Sequence, residues 1–105
     1  MVIVDVVGMK AVNERDGFRA GDSMLRAAAE RLRVAAFGAV LLARLGGDEL
    51  VAVFLGAGAG AAADRTADAL TARSSPPLRA AALVAYPRET GAELVERLYA
   101  TLRRS

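Results

Sequence analysis

The 105-residue chain contains no cysteine, no histidine and no tryptophan. Without thiols there is no disulfide and no thiolate metal site, and without imidazole the usual general base, proton shuttle and zinc ligand are missing. Any catalysis must run on carboxylates, hydroxyls and a metal held by oxygen. Aromatic residues are scarce, and much of the 54% hydrophobic content is alanine, so the core must rest on a few branched side chains. Charge of one sign is also lacking: Lys plus Arg minus Asp plus Glu is 14 − 12 = +2. The high isoelectric point reflects arginine's pKa and not a basic patch, so no nucleic-acid partner is implied. No apolar run reaches the roughly 20 residues of a membrane span, and Met1 leads into a strand-like run without a cleavable signal pattern. A cytoplasmic protein without a membrane span is expected.

What is present reads as one domain over residues 1–105, with no repeat and no linker. Residues 2–7 (VIVDVV) suit a buried central strand that carries a carboxylate near its end. The polar stretch from Gly8 to Gly21 breaks that pattern and reads as a loop. Asp22 and Ser23 offer a helix cap, after which Met24, Leu25, Ala28, Ala29, Leu32 and Ala36 recur at helical spacing and Gly38 ends the helix. Residues 40–45 and 50–55 read as strands joined by a tight turn at Gly46-Gly47. A glycine-alanine connector leads to a helix of small residues over 61–73, and Ser74-Ser75-Pro76-Pro77 breaks it. A strand over 78–86 and an amphipathic helix over 92–103 close the chain. The order β-α-β-β-α-β-α predicts an α+β domain, the ferredoxin-like (palm-type) βαββαβ plan with an added C-terminal helix and an antiparallel central sheet. In that plan Asp5 and Asp48 meet at one sheet edge, and two converging carboxylates suit a hard cation, most commonly Mg²⁺ shared with nucleotide phosphates.

The segment Leu45-Gly46-Gly47-Asp48-Glu49-Leu50 places two acids at a glycine turn between apolar strands. Glycines let a phosphate approach the backbone, and acids hold metal. Asp5 stands inside a run of valines, where a carboxylate is costly unless a cation or hydrogen bonds satisfy it. On residue type alone, Asn13 and Asp22 also fit a loop-turn residue and a helix cap, and Lys10 a solvated charge.

Taken together, Asp5 through Glu14, then Gly17, Gly21-Asp22 and the Gly46-Gly47-Asp48-Glu49 turn, resemble the GGDEF domains of the diguanylate cyclase family. The resemblance implies that Asp5 and Asp48, with the Val6 carbonyl, bind Mg²⁺ (or Mn²⁺), and that Asn13 and Asp22 read the guanine edge. It implies too that Lys10, Gly46 and Gly47 lie near the phosphates, and that Glu49, beside the metal, accepts the attacking hydroxyl's proton as a catalytic residue with Asp48 and Asp5. Met9 and Leu50 stand where the family has phenylalanine and are expected to be core packing.

The departures are equally specific. The family's N-terminal helix, with its Asp-x-Leu-Thr-Gly-Leu-x-Asn-Arg segment, is not seen, and a homodimer or a protein signalling partner is expected to cover the surface it would leave. The product-binding Arg-x-x-Asp motif falls at Phe37 and Val40, and Val7 replaces a second aspartate after Asp5. Leu83 stands for a glycine before the last helix, and the lysine expected three residues after Tyr99 is Leu102. The expectation is a degenerate domain that binds GTP or a related guanine nucleotide with weak or absent cyclic di-GMP synthesis. The alternatives are an active cyclase working as a homodimer and a purely structural dimerisation domain.

Overall fold

The computed structural model describes residues 1–72 and 76–104. Its elements run β1 (Val2–Val6), α1 (Met9–Asp16), α2 (Phe18–Ala35), β2 (Leu41–Arg44), β3 (Glu49–Val53), α3 (Ala59–Thr71), β4 (Leu78–Ala82) and α4 (Gly91–Arg103). The four strands form one sheet in the order β2-β3-β1-β4, with every neighbouring pair antiparallel. This is the expected palm-type α+β arrangement, with the valine run central and the hairpin beside it.

Alternation along β1 builds two cores. Val2, Val4 and Val6 face α2 and α3, where they pack with Leu25, Leu32, Leu50 and Leu70. Ile3 points the other way, into a cluster with Val51, Ala81, Leu94, Leu98 and Leu102 under α4. Asp5 follows Ile3 on this second face, and its cross-strand partners Glu49 and Arg79 share it. Thr90 opens α4 with a reciprocal capping box to Glu93, so the helix starts at a defined point over the sheet.

The stretch from Gly8 to Gly21 is not a loop. It holds the whole of α1 and the first turn of α2, separated by Gly17 at φ 88°. Only Met9 of α1 is buried, so no apolar periodicity announces the helix; it is held by packing against α2. Asp22 therefore lies inside α2, and Gly17 takes the cap position assigned to Asp22 and Ser23. Helix α2 ends at Ala35, short of Gly38, and β4 ends at Ala82, well short of Tyr86. The breaker expected at Ser74-Ser75 lies outside the described residues. Among the described residues, no helix is long and apolar enough to cross a membrane.

Candidate functional site

Three backbone features bring β1, α1 and the acidic turn together. Gly8, at φ 79°, turns the chain from β1 into α1, a conformation most side chains resist. The Val6 amide donates to the Asp48 carbonyl at 2.9 Å, fixing the turn against the end of β1. The Arg44 guanidinium donates to the carbonyls of Gly46 (3.0 Å) and Gly47 (2.7 Å), holding the glycine turn from its own strand. Between turn and helix lies a recess of about 180 Å³ lined by Met9, Lys10, Asn13, Gly47 and Asp48. Helix α1 opens here without a capping side chain or a first-turn acid. A helix start of that kind favours an anion.

The acids gather behind the recess. Asp5 and Asp48 lie against one another; burial, and then the Asp5 charge, push the Asp48 carboxyl above its ordinary pKa. Asp5 accepts from Arg79 at 2.7 Å, and its side chain is only 14% exposed. Glu49, next to Asp5 across the β1–β3 ladder, folds its carboxylate over Gly46, where a Cβ would collide with it. Burial, and then the nearby Glu49 carboxylate, raise the Tyr99 hydroxyl above its usual pKa, so α4 reaches the site through this residue.

Two like-charged carboxylates held together are a fit for a divalent cation, which would relieve their repulsion. Among the described residues no three acids converge as a cage. The remaining ligands would have to come from backbone, water or phosphate, which is how Mg²⁺ is usually held beside a nucleotide.

Asn13 reaches the recess from α1 and packs flat on Gly21 of α2; a Cβ at Gly21 would sit 2.6 Å from Asn13 Cγ. Asp22 follows on the exposed surface of α2 and does not line the recess. Thus Lys10, Asn13, Gly47 and Asp48 converge in one recess, Asp5 lies against Asp48, Val6 and Gly46 adjoin the turn through the backbone, Glu49 lies beside Asp5 across the ladder, and Asp22 lies outside the recess.

Leu102 is a core residue. It is 4% exposed and packed with Ile3, Val51, Leu94 and Leu98. The lysine that the resemblance places three residues after Tyr99 is absent, and the leucine in its place belongs to the core. The spacing Leu94, Leu98, Leu102 was the available signal, because these residues fall on one helical face. Phe37 and Val40, at the place of the product motif, are exposed apolar side chains. Met9 and Leu50 are buried, as expected of core substitutes. Sequence reasoning missed Arg44 and Arg79 altogether and gave Gly21 no role beside Asn13.

The family model for "Diguanylate cyclase, GGDEF domain" matches residues 1–97. The chain belongs to the GGDEF domain family. It is 37% identical over 79 residues to diguanylate cyclase TpbB of Pseudomonas aeruginosa, covering 75% of this chain and 18% of that protein. The chain therefore spans less than a fifth of this curated relative. Among solved structures it resembles the GGDEF domain of YfiN (TpbB) from Pseudomonas aeruginosa, with a TM-score of 0.79 and 28% identity over 99% of this chain and 75% of that one. It also resembles an EAL/GGDEF domain protein from M. capsulatus, with a TM-score of 0.59 and 32% identity over 68% of this chain and 46% of that one.

Proposed function

We propose that the chain binds GTP with Mg²⁺ (or Mn²⁺) in one half of a diguanylate cyclase site, and that its turnover to cyclic di-GMP is slow or absent. The observation that carries this is the convergence of Lys10, Asn13, Gly47 and Asp48 in one recess backed by Asp5. The Asn13 amide and the Asp22 carboxylate offer the donor and acceptor pattern that the guanine edge requires. Lys10 and the uncapped start of α1 receive phosphate, and Gly46 and Gly47 let it come close. Asp5 and Asp48, with the Val6 carbonyl, hold the metal, which when bound supplies charge neutralisation at the phosphates. Glu49 takes the proton of an attacking hydroxyl. Slow turnover is favoured because, among the described residues, Lys10 is the one cationic side chain lining the recess, and charge developing in a transition state needs more than ground-state binding does.

An active cyclase is the second reading. It would need a facing second copy, and the exposed apolar residues Val40, Leu41 and Leu42 on and beside edge strand β2 are compatible with self-association. Calorimetric titration with GTP or ATP in Mg²⁺, followed by chromatography of the same mixture for cyclic di-GMP, separates the readings. GTP should bind at least tenfold more tightly than ATP, because the wrong base leaves the amide and carboxylate that read guanine unpaired. Asn13→Ala should narrow that preference. Equal affinity for the two nucleotides, or no binding to either, would leave a structural dimerisation domain as the better account.

Gly21 provides a second check on the same geometry. A methyl group at Gly21 must push the Asn13 amide aside, while gaining up to about 1 kcal/mol of helix propensity. Gly21→Ala should therefore leave the melting temperature little changed yet weaken GTP about tenfold, the value of one hydrogen bond to the base. Unaltered GTP affinity in this variant would show that Asn13 does not read the base.

A further inference from the structure

Position 79 introduces a charge that neither the acidic turn nor the nucleotide recess accounts for. Arg79 lies on β4 directly opposite Asp5 of β1, while Glu49 lies opposite Asp5 on the other side, so three charged residues form a row across β3, β1 and β4. The row lies on the face covered by α4, at its solvent end. Arg79 Nη2 is 2.7 Å from Asp5 Oδ2; the aspartate is largely buried, whereas the arginine side chain is 48% exposed. Asp48, which faces Asp5, feels the Arg79 charge as well. The guanidinium thus neutralises the carboxylate pair from one side, and it does so from a side chain long and exposed enough to swing away.

We propose that Arg79 is a tethered cation that occupies the Asp5 side of the two-carboxylate site and competes there with a divalent ion, setting the metal affinity of the domain. The inference rests on the reading of Asp5 and Asp48 as metal ligands. Its physical basis is that a guanidinium and a divalent ion cannot both neutralise the same partly buried carboxylate without repelling each other. Either the arginine leaves when metal enters, or it stays and weakens the metal; in both cases removing its charge strengthens metal binding. An arginine that merely orients Asp5 would act in the opposite direction, because its loss would loosen a ligand.

The test uses the full chain and Mn²⁺ alone, with free ion read by electron paramagnetic resonance and no nucleotide present. Arg79→Gln should tighten Mn²⁺ about tenfold or more and lower the metal-free melting temperature, which added Mn²⁺ should restore. Arg79→Lys, which keeps the charge, should stay near the wild-type affinity. Arg79→Thr, neutral and strand-compatible, provides a second neutral variant should the glutamine form fold poorly. Mn²⁺ affinity unchanged or weakened in the neutral variants, with the wild type binding normally, would overturn the role of Arg79 and leave the metal site standing. No Mn²⁺ binding by either the wild type or a folded neutral variant would overturn the metal site and this inference with it.

Discussion

Leu102→Lys is expected to unfold the domain at moderate temperature and not to improve its grip on nucleotide. Leu102 is packed between α4 and the sheet against Ile3 and Val51, and removing a leucine from such a site costs about 2–5 kcal/mol. Placing an ammonium there adds a desolvation cost, partly offset if the chain snorkels past the end of α4. For a domain of about this size each kcal/mol moves the melting temperature by roughly 4–8 °C, so a loss on the order of 15 °C is expected by circular dichroism. Leu102→Met, which nearly conserves volume, should cost under about 1.5 kcal/mol. A lysine variant that melts like the wild type and binds GTP more tightly would place residue 102 at the phosphates after all.

Asp48→Asn should remove most of the Mg²⁺ dependence of GTP binding while leaving the preference for guanine over adenine. Loss of one charged ligand of a metal–phosphate site is worth about 1.5–3 kcal/mol, or roughly tenfold to a hundredfold in affinity at saturating Mg²⁺. The same variant should behave differently without metal. Burial and the nearby Asp5 raise the Asp48 pKa in the folded state, so the protonated acid stabilises the fold. That stabilisation is fully present below the ordinary carboxylate pKa and is lost as pH rises through the raised folded value. At neutral pH the metal-free wild type therefore carries a penalty that the neutral asparagine lacks. Because the group is partly exposed, solvent screening keeps that penalty small, and the asparagine variant should melt slightly above the metal-free wild type at neutral pH. Melting curves in chelator at acid and neutral pH check the sign, and titration of GTP against Mg²⁺ checks the ligand role. A variant with undiminished Mg²⁺ dependence would remove Asp48 from the metal site.

Where a signal was local, it could be read without coordinates. The valine run of residues 2–6 required a central strand, because few other environments bury so many β-branched side chains around one acid. The glycine turn between two apolar runs required a hairpin, and the acids at that turn had to lie beside the end of β1 once the strand order was known. Local signals failed where they were weak or pointed elsewhere. Helix α1 buries one residue, so its pattern could not be told from a polar loop, and Asp22 looked like a cap only because the start of α2 at Phe18 was hidden by the glycine at position 17. Leu102 was noted only as a lysine lost three residues after Tyr99, although the helical repeat with Leu94 and Leu98 also marks it as a core position.

The sequence by itself determined the class of fold and the residue types available to the site: acids, an amide, a lysine and glycines at fixed places along the chain. Periodicity and turn chemistry carry that information because they act over a few residues. Only the tertiary structure decided that Arg79, 74 residues away, closes on Asp5, that Asn13 rests on Gly21, and that Tyr99 meets Glu49 while Leu102 turns inward. Those pairings depend on strand register and helix packing, where a shift of one residue moves a side chain to the other face of the sheet, and no local feature of the chain reports it.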